Sequence, residues 1–306
     1  MKKSSKKIIC IVGPTACGKT KLGVKLARKF DGEIISADSR QVYTGMDIGT
    51  GKDLKEYKKT PYHLIDISNP KKQVTLSDWQ NLAIKKIKEL HKYGKIPFIV
   101  GGTGLYINSI VDGYILNDEK VDLDLRKKLN STSLSELQKM LKKLDKIAYK
   151  KIDINNIRRV IRAIEIAKAG SSISKPYRKK IFDSLVIGIT FDRDVINKRI
   201  DKRIKDRIEN ENMIEEIAWL KKSGLSWKRL EDFGLEYRYI GRYLKKELEF
   251  DEMINQLEIA THQFAKRQMT WFNKRKDIVW VKDEKEAEKL INKFLSPEIL
   301  KLRGKK

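Results

Sequence analysis

The sequence predicts an α/β fold: a P-loop NTPase-like parallel sheet flanked by helices, with a smaller all-helical insertion domain. Three observations carry this expectation. Residues Gly13-Pro14-Thr15-Ala16-Cys17-Gly18-Lys19-Thr20 match the phosphate-loop pattern G-x-x-x-x-G-K-[ST] in full. Short apolar runs alternate with helical periodicity in the first part of the chain, as in a parallel sheet with crossover helices. A Lys-rich stretch from 117 to about 180 then interrupts that alternation with helical character and no strong strand.

Each element follows in order. Ile8-Ile9-Cys10-Ile11-Val12 reads as a buried strand feeding the glycine loop. A helix follows over 19–30, with Leu22, Leu26, Ala27 and Phe30 at helical spacing. Strand, loop and helix start form an anion cradle, because the glycines let backbone N–H groups turn inward and the helix adds its positive end. Lys19 supplies a point charge for a terminal phosphate, and the Thr20 hydroxyl can bind Mg²⁺. A second strand, 33–37, ends at Asp38. A helix over 78–93 has Trp79, Leu82, Ala83, Ile87 and Leu90 as its apolar stripe. A third strand, 96–100, ends in Gly101-Gly102-Thr103-Gly104. Later strands are expected at 185–191 and 278–281, a long helix after Asp192, and a last helix over 251–272. The tail from 296 to 306 is charged and is expected to fray. The domain division is therefore 1–116 for the first part of the core, 117–180 for a helical insertion or lid, and 181–306 for completion of the core.

The 306 residues carry a formal net charge of +26, with 40% hydrophobic residues to build a core. Such a charge points to a polyanion, and nucleic acid is the natural one. A Lys-rich genome would raise the charge as well, so charge alone does not decide. The two cysteines, Cys10 and Cys17, have neither disulfide-framework nor zinc spacing and are expected to be reduced. The apolar run behind the basic N-terminus is too short for a signal peptide, and no stretch approaches membrane-spanning length. A cytoplasmic monomer with no membrane partner is expected.

Ligands of open α/β sheets sit beyond the carboxyl ends of the strands, where the phosphate loop, Asp38 and the Gly-Gly-Thr-Gly turn converge. Asp38 there can hold Mg²⁺ through water, act as general base, or simply cap a turn. Ser39, Arg40, Gln41 and Tyr43 follow at the strand exit, suited to reading a substrate. Arg199, Arg203 and Arg207 recur at i, i+4 and i+8, a phosphate-sized stripe; for Arg207 a solvated face paired with Asp201, Asp206 and Glu209 is the preferred reading. Two further clusters suit the phosphates and bases of a folded RNA. One is Arg158-Arg159-Val160-Ile161-Arg162, with Arg158 and Arg162 sharing a face while Ile157, Ile161 and Ile164 pack. The other is Gln263, Lys266, Arg267 and Gln268, near Phe264, Trp271 and Phe272. His63 has no partner at metal-ligand spacing and reads as structural. The strand at 185–191 followed by Asp192 is better read as strand and helix cap than as a Walker B site.

In combination these motifs resemble one family, the bacterial tRNA dimethylallyltransferases, also called tRNA isopentenyltransferases or IPP transferases. The resemblance rests on the phosphate loop, Ser36-Ala37-Asp38-Ser39-Arg40-Gln41-Val42-Tyr43, Gly45-Met46-Asp47-Ile48-Gly49-Thr50-Gly51-Lys52, His63-Leu64-Ile65-Asp66, Val100-Gly101-Gly102-Thr103-Gly104-Leu105-Tyr106, Arg158 to Glu165, and Ala265-Lys266-Arg267-Gln268-Met269-Thr270-Trp271. The set is collinear with the family across nearly the whole chain.

The resemblance implies transfer of a dimethylallyl group from dimethylallyl diphosphate to N6 of adenine 37, beside the tRNA anticodon. The loop from Gly13 to Thr20 would hold the departing diphosphate with Mg²⁺ and Arg203. Asp38 would accept the N6 proton or orient the amine. Thr15 would lie near the reacting groups and Thr103 near the RNA. Ser39, Arg40 and Gln41 would border a channel for the flipped adenine. Arg158, Arg159, Arg162, Lys266 and Arg267 would grip the anticodon arm, within the tRNA-contacting set that includes Val160, Ile161 and Gln263.

The chain departs from many relatives in having Glu236-Tyr237-Arg238 for Gly-Tyr-Lys or Gly-Tyr-Arg, His262 for Arg, and one extra residue near 210–212. The zinc finger of eukaryotic relatives is missing, since no cysteine lies beyond Cys17. Three other readings compete. A small-molecule kinase would use the loop for ATP but lacks a convincing Walker B strand. An adenylate isopentenyltransferase acting on free nucleotides would leave the basic clusters without a role. A nucleotide-gated RNA-binding protein would leave Asp38 idle.

Overall fold

The computed structural model describes residues 6–116, 122–170, 172 and 178–296. The chain forms two compact units, Met1–Val111 with Ile181–Lys306, and Asp112–Lys180. The smaller unit opens at Asp112, ahead of the composition shift at 117.

The larger unit is built on six strands: β1 (Lys7–Val12), β2 (Gly32–Ser36), β3 (Tyr62–His63), β4 (Ile96–Gly101), β5 (Asp183–Ile189) and β6 (Ile278–Val281). Their spatial order is β3-β2-β4-β1-β5-β6, and every neighbouring pair is parallel. Strand β1 is buried from end to end between β4 and β5, which is why it reads as an unbroken apolar run rather than an alternation. Its helices are α1 (Lys19–Lys29), α2 (Leu76–Lys92) and α3 (Gly104–Val111) in the first half of the chain. After the smaller unit come α8 (Arg193–Asn210), α9 (Met213–Lys222), α10 (Trp227–Phe233), α11 (Leu235–Leu244), α12 (Phe250–Phe272) and α13 (Glu284–Leu295). Helix α2 begins two residues before the predicted start, because Thr75 and Asp78 form a reciprocal capping box. Its Leu82 is 41% exposed and leaves the apolar stripe.

Several expectations need correction. Helix α12 is not the last helix. Helix α13 follows it, capped by Asp283, whose side chain accepts the Glu286 N–H, and it buries Ala287 and Ile291. Strand β3 was not foreseen, being two residues long at the sheet edge. Asp192 occupies the cap position of α8 without a side-chain cap bond. The tail at 297–306 lies outside the described residues.

The smaller unit contains α4 (Leu123–Asn130), α5 (Leu134–Leu144), α6 (Lys146–Lys151) and α7 (Ile157–Lys168). Each begins at a polar cap: Asp122, Ser133, Asp145 and Asn156 accept backbone N–H groups of their own helices. Leu129, Leu137, Leu141, Ala148, Val160 and Ile164 form its core. Ile157 is 40% exposed rather than packed. Glu165 receives a bidentate pair from Arg126, with both N–O distances 2.6 Å, and a third bond from Arg162 at 3.2 Å.

Candidate active site

Strand β1 delivers the chain into the phosphate loop. A side chain at Gly13 would stand 2.3 Å from the Ile189 carbonyl at the end of β5, so only glycine lets the loop leave the sheet there. Ala16 (φ 60°) and Gly18 (φ 83°) turn the chain through left-handed backbone before α1 starts. Gly18 offers no capping side chain, and the first turn of α1 has no acid. Its leading N–H groups therefore remain for an anion. Lys19 Nζ donates back to the Pro14 carbonyl at 3.0 Å, which curls its ammonium over the loop.

Two distant helices fasten onto this loop. Arg203 of α8 donates to the Thr15 hydroxyl at 2.7 Å. Gln268 of α12 accepts the Thr15 N–H at 2.8 Å and donates to the Gly102 carbonyl at 3.0 Å, which joins the phosphate loop to the Gly-Gly-Thr-Gly turn. The Thr103 hydroxyl accepts the Ser39 N–H at 3.1 Å, and Asp38 Oδ1 accepts the Arg40 N–H at 2.9 Å. The turn after β2 thus presents the Asp38 carboxylate from a fixed backbone. At Gly104, an added side chain would meet the Trp271 indole at 2.2 Å.

Two cavities open here, of about 310 and 280 Å³. Thr15, Lys19, Asp38, Thr50 and Arg203 border both of them. The first cavity adds Phe264, Arg267 and Trp271, an aromatic and cationic wall suited to a base. The second adds Gly18, Thr20, Lys21 and Arg199, a cationic wall suited to phosphates. Burial, then the charge of Arg207, pulls the Arg203 guanidinium down to about 10, partly offset by Glu236 and Asp53, so it stays a cation at neutral pH. Burial, then Asp38 and Asp53, pushes the Tyr57 phenol upward and keeps it neutral beside the second cavity.

The structure brings together Thr15, Lys19, Asp38, Ser39, Arg40, Thr103, Arg203 and Arg267 on the first cavity, and adds Thr20 and Gln41 on the second. Gln41 is occupied within the protein: it donates to the Gly51 carbonyl at 2.8 Å and accepts from Ser36 Oγ at 2.9 Å. Cys17 is buried and, like Cys10, a free thiol. Arg207 does not lie on a solvated face. It is 4% exposed and bonds Asp53 at 2.8 Å, because α8 turns it inward against the segment that follows Gly51. Gln263 and Lys266 are exposed on α12. In the smaller unit Arg158 and Arg159 are exposed, while Arg162 is held by Glu165. Val160 and Ile161 are corrected as RNA contacts: at 0% and 6% exposure their side chains fill that unit's core. His63 lies 2.6 Å from the Glu33 carboxylate, and His262 2.6 Å from Asp201.

Sequence reasoning missed the roles of Glu216 and Gln268. One carboxylate of Glu216 accepts the N–H groups of Asp47, Ile48 and Gly49 at 2.6–3.1 Å and the Tyr237 hydroxyl at 2.9 Å. Lys52 is 1% exposed and bonds Asp47, Asp66 and the Tyr43 carbonyl. These bonds explain the Gly45-to-Lys52 motif, which sets Gly49 and Thr50 on the cavity wall. The density of Gly, Asp and Lys there was the available signal for a tightly hydrogen-bonded loop.

The family model described as IPP transferase matches residues 41–275. The chain is 44% identical over 268 residues to tRNA dimethylallyltransferase 2 of Shewanella sediminis, covering 87% of this chain and 89% of that one. It is 42% identical over 296 residues to tRNA dimethylallyltransferase 1 of Syntrophus aciditrophicus, covering 93% and 96%. Among solved structures it resembles the tRNA isopentenylpyrophosphate transferase of Bacillus halodurans (TM-score 0.71, 38% identity, 95% and 96% of the two chains). It also resembles a eukaryotic dimethylallyltransferase solved acting on tRNA (TM-score 0.80, 27% identity, 91% of this chain and 74% of that one). With a phosphate loop, a strand-end carboxylate and these relatives matched across most of its length, the chain belongs to the IPP transferase family.

Proposed function

We propose that the protein is a tRNA dimethylallyltransferase, moving a dimethylallyl group from dimethylallyl diphosphate to N6 of adenine 37 in the anticodon loop. The observation that supports this reading is the set of five residues shared by the two cavities, in which two cations, Lys19 and Arg203, meet one carboxylate, Asp38. The loop N–H groups, Lys19 and Arg203 hold the diphosphate, and their positive charge favours the oxyanion that forms as the allylic C–O bond breaks. Adenine reaches the junction from the aromatic side after leaving its stack. Its N6 forms the new C–N bond, and Asp38 takes the displaced N6 proton. The products are N6-(dimethylallyl)adenosine and diphosphate.

Thr20 and Asp38 suit Mg²⁺ in donor chemistry, since both offer hard oxygens on the same cavity. Among the described residues no cluster of three His, Cys, Asp or Glu could hold a metal by itself. Such a site fits an ion held chiefly by substrate phosphates and water, with Thr20 and Asp38 as its protein side. When bound, Mg²⁺ would supply further neutralisation of the diphosphate oxygens. No helix among the described residues is long and apolar enough to cross a membrane. We place the protein in the cytoplasm with its tRNA, acting as a monomer.

The test mixes purified protein, Mg²⁺, radiolabelled dimethylallyl diphosphate and unmodified tRNA carrying adenine at 36, 37 and 38. Label entering the RNA, and lost when adenine 37 is replaced, is the expected result. Label entering free AMP instead would favour a nucleotide prenyltransferase. ATP-dependent phosphate transfer with no prenylation would favour a kinase.

A further inference from the structure

Asp38 and Glu236 are the two acidic side chains on the first cavity, and only Asp38 has a place in the chemistry above. Glu236 stands in the first turn of α11, 5% exposed, with its Oε2 3.3 Å from Nη1 of Arg40. The Arg40 guanidinium also lies over the Phe264 ring, 5.7 Å from its centroid. Arg40 is therefore held at its far end by two groups from two different helices. At its near end, the Arg40 N–H donates to Asp38 Oδ1. One residue thus links a buried carboxylate on α11 to the carboxylate at the end of β2.

We infer that Glu236 is a positioning residue: by anchoring the Arg40 side chain it fixes the Ser39–Arg40 turn, and so the direction in which Asp38 faces the incoming amine. The inference rests on the reading of Asp38 as the proton acceptor. The backbone of the turn is tied by the Ser39 N–H to Thr103 and by the Tyr43 N–H to the Arg40 carbonyl at 3.2 Å, and neither bond reaches the Arg40 side chain. A charge-assisted bond in a mostly buried setting adds a tie at the side-chain end that those backbone bonds do not supply. Small errors in the aim of a general base are costly to rate, because proton transfer needs hydrogen-bond reach in a defined direction. Glu236 bonds Arg40 rather than the phosphate loop, so loss of its anchor should act on the chemical step and leave diphosphate binding in place.

The test compares single-turnover prenyl transfer and RNA affinity for Glu236→Gln, Glu236→Ala, Arg40→Met, Arg40→Met with Glu236→Ala, and Asp38→Asn. Inorganic diphosphate binding is measured on each. The expected result is a drop in the transfer rate of about 5-fold or more for Glu236→Ala and for Arg40→Met. The double variant should lose little beyond either single change, and Glu236→Gln should retain part of the rate through its remaining hydrogen bond. RNA and diphosphate affinities should stay within about twofold of the parent for the Glu236 variants. Multiplicative losses in the double variant would overturn the inference. So would tighter diphosphate binding in Glu236→Gln at an unchanged transfer rate, since Glu236 would then be a counter-ion to Arg203 and Arg207. A large loss in Asp38→Asn with none in Glu236→Ala would sink the positioning role alone. No loss in Asp38→Asn would sink the general-base reading and this inference with it.

Discussion

Arg203 Nη2 donates to Thr15 Oγ1 at 2.7 Å, so α8 reaches the phosphate loop through a half-buried cation. Its partner in the loop is a hydroxyl, not a carboxylate, and its neighbour on α8 is a buried arginine, Arg207. Burial and that repulsion disfavour the charge in the free protein, which an arriving diphosphate would relieve. Replacing Arg203 by Met should therefore lower turnover by about 10²-fold or more while leaving thermal stability equal or higher. Diphosphate should then stabilise the variant far less than the parent. A calorimetric scan with and without diphosphate checks both; a variant that melts several degrees lower would show that Arg203 serves the fold first.

Asp38 offers a cleaner separation of chemistry from structure. Its carboxylate accepts one backbone bond, from Arg40, and borders both cavities. Asp38→Asn preserves the size and an acceptor oxygen but not the basicity. Transfer to N6 should fall by about 10²-fold or more, with tRNA affinity close to the parent. Filter-binding beside single-turnover kinetics decides it, because a parallel collapse of binding would mark Asp38 as a turn-former.

Gln268 predicts a mixed effect. Its amide satisfies the Thr15 N–H and the Gly102 carbonyl at once, and it is 6% exposed. Gln268→Ala leaves both backbone groups without that partner, costing about 1–3 kcal/mol. The phosphate loop would also lose its tie to the Gly102 turn, so the KM for dimethylallyl diphosphate should rise. Gln268→Glu keeps the acceptor toward Thr15 and loses the donor toward Gly102, and should fall between the two in denaturant midpoint. Equal midpoints for all three proteins would show the bridge to be idle.

What the sequence disclosed divides along contact range. Gly13 to Thr20 was legible because eight consecutive residues carry the whole device and its flanking strand and helix. Asp38 was legible because a strand end names its own position in the sheet. Strand β3 was not, since two residues show no periodicity. Helix α13 had a signal in Asp283 and in the spacing of Ala287 and Ile291, but its charged face obscured it. Gln268 lies 253 positions from Thr15, and Glu216 lies 169 from Asp47; no local pattern announces such partners. The arginines show the same limit: Arg203 and Arg207 share a spacing, yet one bonds the loop and the other bonds Asp53.

The smaller unit should be acid-sensitive through Glu165. Burial raises the pKa of its carboxyl, but the bonds from Arg126 and Arg162 outweigh burial and hold it below the ordinary 4.5. A carboxylate with a depressed folded pKa contributes stability above its unfolded value, and that contribution is lost as pH falls through the folded one. Amide exchange in α4 and α7 should therefore quicken as pH drops below about 4.5, relative to the intrinsic exchange rate. Glu165→Gln should remove that pH step and open both helices more readily at neutral pH, since Arg126 and Arg162 would lose their shared anion. Exchange measured on the whole protein at several pH values checks this. A pH step that persists unchanged in Glu165→Gln would assign the acid sensitivity to another carboxylate.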